Sequence, residues 1–253
     1  SWLQLHMPED GSVIIEDVSS TYACLGLWGP KARLILQKVT KADVSNQAFP
    51  YMTAQRITVG NVPVLALRVT YVGELGWEFY PPMEYGLCLW DTLWEAGLPE
   101  GMVPAGYRAL DTLRLEKGYR YWSAEITPDY TPFEAGLGFA VKLGKGEFIG
   151  REALIRQREV GIRRKLCCMT LDDNRAVVLG KEPIHNAGCD EIIGWVASGG
   201  YGYSIGESIA YAYLPIEHSK IGTLLEIEYF GEIIGAEVKA SPLYDPKGEK
   251  IRA

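Results

Sequence analysis

The first part of the chain alternates between strand-like and helical patterns of apolar residues. Residues 21–29 (TYACLGLWG) are rich in β-branched and aromatic side chains and predict a strand, and Pro30 suits the first turn of a helix over KARLILQKV. The stretch ITVGNVPVLALRVTYV (residues 57–72) predicts two strands around a GNVP turn. Helices are expected over about residues 83–95 and 105–117. This order predicts an α+β fold with antiparallel sheets and helices on one face.

The pattern changes near Gly161, where short strand-like segments separated by turn residues begin. They include IRRKLCCMTLDD, SIAYAYLP, the stretch over residues 188–199, and the pair LLEIEYF and IIGAEVK, which predicts a hairpin around Gly231. These segments predict a small C-terminal β-barrel. We therefore expect two domains, an α+β region over residues 1–160 and the barrel over residues 161–253.

Charge and composition limit the partners. The chain has 253 residues and a formal net charge of -7, which argues against a nucleic acid ligand. No apolar run approaches the roughly 20 residues that span a bilayer, and no secretory leader precedes the first elements. The predicted location is the cytoplasm, or the mitochondrial matrix in a eukaryote. Because the sequence begins without Met, in SWLQLHMPEDG, we expect it to be a fragment of a longer polypeptide.

The cysteines do not form a recognisable framework. Their number is odd, and no C-x-x-C occurs among Cys24, Cys88, Cys167, Cys168 and Cys189. Neither a disulfide scaffold nor a thiolate zinc site is therefore indicated, and reduced structural cysteines are expected.

Common catalytic and metal motifs are also missing. His6, His185 and His218 are far apart in sequence and lie outside any H-E-x-x-H setting, so no metal site is predicted. The segment GGYGYSIG (residues 199–206) lacks the G-x-G-x-x-G spacing and has no following helix. It is interpreted as a barrel loop, because nucleotide-binding glycine loops open a helix.

One acidic residue with glycines on both sides is a candidate ligand contact. In YVGELGWEFY (residues 71–80), Glu74 lies between Gly73 and Gly76. If the strand pleat continues through the segment, Glu74 and Glu78 share a face. A carboxylate accepts two parallel N–H bonds, as the 2-amino-4-oxo edge of a pterin offers, and glycines leave room for a flat ring. The alternative is a solvated acid at a strand end, which is the commoner case for a single glutamate.

Four further residues allow two interpretations each. Arg108 either forms an ion pair with Asp111, worth about 0.2–0.5 kcal/mol, or clamps a ligand carboxylate with its planar guanidinium. Spacing alone favours the ion pair. Phe139 belongs by default to the core, or stacks on an aromatic ligand. The same choice applies to Tyr201 and Tyr203 in the glycine-rich loop.

Several motifs in order carry a family resemblance. They are YVGELGWEFY, RALDTLRLEKGYRYW, TPFEAGLGFAVKL, FIGREAL, SGGYGYSIGESIAYAYLP and SPLYDP. Together they resemble the folate-binding C-terminal region of the dimethylglycine oxidase, dimethylglycine dehydrogenase and sarcosine dehydrogenase family. That region is homologous to the aminomethyltransferase (T-protein) of the glycine cleavage system. The segments RLEKGYRYW and SPLYDP point to the flavoenzyme branch.

The resemblance implies roles for individual residues. Glu74 corresponds to the glutamate of the Y-x-G-E-x-G motif that holds the pterin ring of tetrahydrofolate. Arg108 opens the R-x-x-D-x-L-R-L-E helix and corresponds to the contact with the glutamyl tail. Phe139 stands where free-standing transferases often carry Trp, and Tyr71 has a supporting role. With Tyr203 from the glycine-rich loop, these are the predicted folate contacts.

The resemblance also implies chemistry outside this chain. The family's catalytic aspartate is expected upstream of Ser1, as is the FAD-binding part. There the flavin oxidises an N-methylated, glycine-derived amine such as dimethylglycine or sarcosine. The resulting iminium, or formaldehyde derived from it, reaches N5 of tetrahydrofolate and gives 5,10-methylenetetrahydrofolate. Expected partners are a reduced folate, the amine and a flavoprotein domain or subunit, without nucleic acid or membrane.

Two other hypotheses stay open at this point. One is a non-enzymatic folate-binding or regulatory subunit, since the regulatory subunit of pyruvate dehydrogenase phosphatase resembles the same architecture. The other is a free-standing glycine cleavage aminomethyltransferase that has lost its N-terminal part. The length and content of the sequence upstream of Ser1 would discriminate among the three.

Overall fold

The computed structural model describes residues 2–188 and 191–253, which fall into two compact units. The sheet unit contains residues 2–70, 74–104 and 250–253. The barrel unit contains residues 71–73 and the described part of 105–249. The domain boundary expected between residues 160 and 161 stays a prediction.

The sheet unit is built on an antiparallel four-stranded sheet. Its elements are α1 (Trp2–Leu5), β1 (Leu25–Trp28), α2 (Ala32–Val39), β2 (Ala54–Val59), β3 (Val62–Leu67), β4 (Gly76–Tyr80) and α3 (Gly86–Gly97), with 3₁₀ turns at Met83–Tyr85 and Leu98–Glu100. The strand order is β1-β4-β3-β2. The predicted strands, their turn at Gly60 and the helices α2 and α3 are confirmed, apart from their ends.

One face of this sheet forms a hydrophobic core with the two longer helices. Trp77 and Phe79 of β4 are fully buried in the same cluster as Leu36 of α2 and Leu89 of α3. Burying such large apolar side chains is the main contribution that holds sheet and helices together. The expected α+β arrangement, with helices on one face, is therefore confirmed.

The strand pleat considered for residues 71–80 is present only in the second half of that segment. β3 ends at Leu67, β4 begins only at Gly76, and residues 71–75 form a series of bends. Gly73 has a φ of 77°, which no strand accommodates. Glu74 consequently lies on a turn and does not share a pleated face with Glu78.

The barrel unit contains a closed six-stranded antiparallel barrel. Its elements are α4 (Tyr107–Glu116), α5 (Arg151–Val160), β5 (Arg164–Leu171), β6 (Pro183–Asn186), β7 (Ile192–Gly202), β8 (Glu207–Pro215), β9 (Leu224–Tyr229) and β10 (Glu232–Lys239), with 3₁₀ turns at Gly138–Ala140 and Ile216–His218. A final short helix, α6, spans Glu249–Arg252, and its residues from Lys250 onward belong to the sheet unit. The barrel closes in the order β10-β5-β8-β7-β6-β9. The predicted C-terminal barrel is confirmed.

Local features of the barrel agree only in part with the sequence pattern. The β9–β10 hairpin around Gly231 is confirmed, with Tyr229 opposite Glu232. The predicted loop over residues 199–206 is half strand, because β7 continues through Gly202 before the turn to β8. β6 and α5 were not predicted from the pattern.

Of the four described cysteines, two are buried and two are exposed. Burial raises the pKa of Cys167 to about 11 and that of Cys168 to about 12, so these two thiols on β5 are poor nucleophiles. Cys24 and Cys88 are exposed free thiols, and Cys189 lies outside the described residues.

Within residues 2–188 and 191–253, every helix is too short or too polar to cross a membrane.

Candidate functional site

The glycines on either side of Glu74 are required by the protein's own packing. Gly73 adopts a left-handed conformation, and a Cβ there would come within 2.8 Å of the side chain of Lys117. A Cβ on Gly76 would overlap the carbonyl oxygen of Leu27 on the paired strand β1. The interpretation that these glycines make room for a flat ligand is therefore replaced by two structural reasons.

Glu74 itself is held on this turn as a partly exposed carboxylate. Its side chain is 19% exposed, and Oε1 lies 3.7 Å from the Nζ atom of Lys250, which is 52% exposed. An ion pair of this length with an exposed lysine is weak and easily exchanged. The carboxylate is thus accessible to a ligand while its backbone is fixed by the buried neighbour Leu75, whose carbonyl accepts the N–H of Gly29.

Tyr71 is an anchor of the turn rather than a free hydroxyl. Its Oη atom donates to the backbone oxygen of Arg120 at 2.8 Å, and its ring stacks on Tyr119 with centroids 5.9 Å apart. Burial raises the pKa of Tyr71, an effect that the Arg114 guanidinium partly offsets.

Arg108 lies in the first turn of α4 with its side chain exposed. The ion pair with Asp111 favoured by spacing is wrong, because Asp111 Oδ1 accepts from Nε of Arg114 at 2.7 Å. Among the described residues the Arg108 guanidinium has neither an ion pair nor a hydrogen-bond partner. It is available to an external anion, which the N-terminal end of the helix also favours.

Another arginine of this helix, Arg114, belongs to a buried ionic cluster that was not predicted from the sequence. Arg114, only 3% exposed, donates from Nη1 to Oε1 of Glu125 at 2.6 Å, and the same carboxylate oxygen accepts from the hydroxyl of Ser198. Its other oxygen accepts the N–H of Tyr121 at 2.7 Å. Burial opposes the charge on Arg114, but Glu125 and Asp111 outweigh it and raise the pKa of Arg114. The saturated cluster joins α4 to β7.

The two remaining candidates are strongly exposed aromatic residues. Phe139 is 76% exposed on the 3₁₀ turn Gly138–Ala140, so its default assignment to the core is wrong. Tyr203 is 78% exposed and packs edge-on against Tyr201, with ring centroids 5.1 Å apart. The turn that carries it is fixed by Ser204, whose N–H donates to Oε1 of Glu116 at 2.6 Å.

The five candidates are distributed over both units. Glu74 belongs to the sheet unit, and Tyr71, Arg108, Phe139 and Tyr203 belong to the barrel unit. Within the described residues, no hydrogen bond or ring contact joins the latter four to one another. In the same ranges, no three His, Cys, Asp or Glu side chains gather in a way that could hold a metal ion. Taken one by one, the candidates are one carboxylate, one guanidinium and three aromatic rings.

Comparison with known proteins assigns both parts of the chain to one family. Residues 1–145 match the model of the GCVT N-terminal domain, and residues 164–245 match that of the glycine cleavage T-protein C-terminal barrel domain. The chain therefore belongs to the glycine cleavage T-protein family, which binds tetrahydrofolate.

Individual relatives fall into two groups. Human mitochondrial dimethylglycine dehydrogenase is 38% identical over 96% of this chain, and human mitochondrial sarcosine dehydrogenase is 37% identical over 93% of it. The chain spans only 28% and 26% of their lengths. An aminomethyltransferase of Symbiobacterium thermophilum is 42% identical, and the match covers 90% of this chain and 60% of that protein.

A solved structure supports the same assignment. The glycine cleavage system aminomethyltransferase T from Bartonella henselae superposes with a TM-score of 0.79 and 26% identity, over 89% of this chain and 60% of its own. The chain is thus an aminomethyltransferase-like module, homologous both to aminomethyltransferases and to a part of the two dehydrogenases.

Proposed function

We propose that this chain is the tetrahydrofolate-dependent one-carbon-transfer module of a flavin-dependent oxidoreductase acting on N-methylated glycines. The observation that carries the proposal is the match of both T-protein domains, in order, in a chain whose identity to dimethylglycine and sarcosine dehydrogenases extends over more than nine-tenths of its length. The product is 5,10-methylenetetrahydrofolate: N5 of the folate adds to the iminium or formaldehyde that amine oxidation produces, and N10 then closes the bridge as the demethylated amine or water leaves. FAD belongs to the flavoprotein part.

The proposed role of Glu74 follows from its chemistry. A carboxylate on a rigid turn accepts two N–H bonds from the 2-amino group and N3 of a pterin, a charge-assisted pair stronger than neutral hydrogen bonds. The 3.7 Å contact between Glu74 and the half-exposed Lys250 is a weak ion pair. Glu74 therefore selects the pterin ring and orients it.

The other four residues contribute to the rest of the ligand in this proposal. Arg108 binds the glutamyl carboxylate of folate with a guanidinium that has no competing acid within the described residues. The exposed rings of Phe139 and Tyr203 supply apolar surface to the flat parts of the ligand, and Tyr71 supports the turn. In this proposal these residues bind and orient the folate.

A titration with 5-formyltetrahydrofolate, a stable reduced folate, tests the proposal. Saturable binding that weakens in both Glu74→Ala and Arg108→Ala is expected, with Glu84→Ala as a matched exposed acid that leaves affinity unchanged. Absence of binding by the folded chain and also by the longer protein that contains it would contradict the proposal.

The second candidate is a free-standing aminomethyltransferase. It is favoured by the 42% identity to the Symbiobacterium enzyme, of which the chain covers 60%. Visible flavin absorbance in the purified full-length protein supports the oxidoreductase, whereas a flavin-free protein that releases ammonia from an aminomethyl donor with tetrahydrofolate supports the transferase.

A further inference from the structure

A groove of about 760 Å³ on the barrel unit is independent of the proposed folate contacts. It lies between β7 on one side and residues 123–130 on the other, with Tyr213 of β8 among its lining residues. None of the candidate folate contacts Glu74, Tyr71, Arg108, Phe139 or Tyr203 lines it. The volume is within the range of small-molecule binding sites.

The groove is cationic in a protein whose net charge is -7. Its lining includes Arg163, Arg164 and Lys181 against one acid, Asp129. Arg164 is already engaged, since Nη2 donates to the backbone oxygen of Asp129 at 2.6 Å and Nε lies 3.4 Å from Oε1 of Glu134. Arg163 and Lys181 are exposed and have no ion pair within the described residues. Two uncommitted cations of this kind fit an anionic group.

Backbone strain is concentrated at the same place. Five described residues other than glycine have a positive φ, and two of them, Ser123 at 72° and Lys181 at 79°, line this groove. Side-chain-bearing residues rarely occupy this region, and such residues cluster at ligand sites. Lys181 is held there by a hydrogen bond from its N–H to the carbonyl of Val196 at 2.7 Å.

An exposed indole lines the same groove. Trp195 precedes Val196 on β7, lines the groove and is 55% exposed. Tyr130, by contrast, has both faces covered, by Tyr213 at 3.4 Å between centroids and by the Arg164 guanidinium at 4.4 Å. Within the described residues Trp195 makes no ring stack and no cation–π contact. It is the aromatic surface of the groove that a planar ligand can cover.

We propose that the groove binds a small heteroaromatic anion of the nucleoside monophosphate class. The flat base stacks on Trp195, and the phosphate is bound by Lys181 and Arg163. Indole stacking tolerates any flat base, and two cations compensate a phosphate dianion. The site does not depend on the proposed folate function.

Calorimetric titration with AMP tests this proposal, in the presence of saturating 5-formyltetrahydrofolate to occupy any folate site. We expect saturable binding that weakens at least tenfold in the double variant Arg163→Gln, Lys181→Asn, asparagine being tolerant of a positive φ. Trp195→Leu should cause a similar loss. Lys220→Gln, which removes an exposed lysine outside the groove, should leave AMP affinity unchanged, and thermal unfolding should be the same for all variants.

Adenosine and inorganic phosphate separate the two halves of the ligand. Each should bind more weakly than AMP, adenosine depending on Trp195 and phosphate on the two cations. The proposal is overturned if AMP does not bind, if phosphate alone binds as tightly as AMP, or if AMP affinity is the same in the folded variants as in the parent protein.

Discussion

Two arginines of one helix, Arg108 and Arg114, have opposite environments. Arg108 in the first turn of α4 is exposed, and its guanidinium has no ion pair or hydrogen-bond partner within the described residues. Arg114 in the last turn is 3% exposed and is paired with both Asp111 and Glu125. An arginine side chain is thus available to bind a ligand at one end of the helix. At the other end an arginine is held in ion pairs that stabilise the fold.

The contrast shows how to separate binding residues from structural ones in this protein. A buried ion pair has lost its water and is strongly disfavoured when one partner is removed, whereas an exposed charge loses little. The two glutamates differ in the same way: Glu125 is buried and its hydrogen bonds are saturated, whereas Glu74 is partly exposed on its turn. Changes at Arg114 and Glu125 should therefore alter stability, and changes at Arg108 and Glu74 should alter ligand affinity.

The largest expected effect is on stability and comes from Arg114→Met. Because it leaves Glu125 buried without its counter-charge, the free energy of unfolding should fall by about 3–5 kcal/mol. Urea unfolding followed by circular dichroism measures it. The double variant Arg114→Met, Glu125→Leu removes both charges and should recover a large part of the loss. A single variant as stable as the parent protein would contradict the structural role of the cluster.

A smaller loss of stability is expected from Gly76→Ala. Its Cβ would overlap the carbonyl oxygen of Leu27, so β1 and β4 must separate locally, at a cost of about 1–3 kcal/mol. Thermal unfolding measures the change. Gly144→Ala, where a Cβ meets nothing within 4 Å, is the control. Equal stability of the two variants would restore the interpretation that Gly76 serves a ligand.

Glu74→Gln should change affinity and leave stability nearly intact. The amide can still accept one N–H bond but loses the charge, so affinity for 5-formyltetrahydrofolate should fall about tenfold to a hundredfold. Calorimetry measures the affinity. Glu84→Gln removes the same charge from an exposed position of the same unit and serves as the control. Unchanged affinity in Glu74→Gln would remove this residue from the folate contacts.

The smallest effect is expected from Arg108→Gln. An exposed guanidinium–carboxylate pair contributes little, so affinity should fall about twofold to fivefold, and the loss should shrink at high salt. Arg156→Gln, an exposed arginine of the same unit, is the control. A salt-independent loss would point to an indirect, structural role for Arg108.

The sequence pattern correctly predicted those elements in which the apolar alternation and the turn residues indicate the same structure. The β9–β10 hairpin has alternating apolar residues around Gly231, which has a φ of 84°, and it was found as expected. β6 escaped prediction because it is short, begins with Pro183 and contains polar residues. Sequence alternation continues across Gly73 and so does not reveal that the pleat is interrupted there by a φ of 77°.

For the candidate site, too, spacing and residue type alone did not predict the side-chain environments. Asp111 has an arginine three residues away on each side, and in the structure it pairs with Arg114, which also binds the buried Glu125. Spacing alone does not distinguish the two arginines. Phe139 looked like core because aromatic residues usually are, and its exposure follows from the tertiary structure. The family resemblance, by contrast, rests on the order of motifs along the whole chain and needs no tertiary detail.

The most direct test of the folate assignment divides the ligand into its parts. Affinities for 5-formyltetrahydrofolate and for a 5-formyltetrahydropterin without the benzoylglutamate tail should be measured for the parent protein, Glu74→Gln and Arg108→Gln. We predict that Glu74→Gln weakens both ligands by the same factor, whereas Arg108→Gln weakens only the ligand with the tail. If the pterin fragment binds Glu74→Gln as tightly as the parent protein, Glu74 does not hold the pterin and the central claim is wrong.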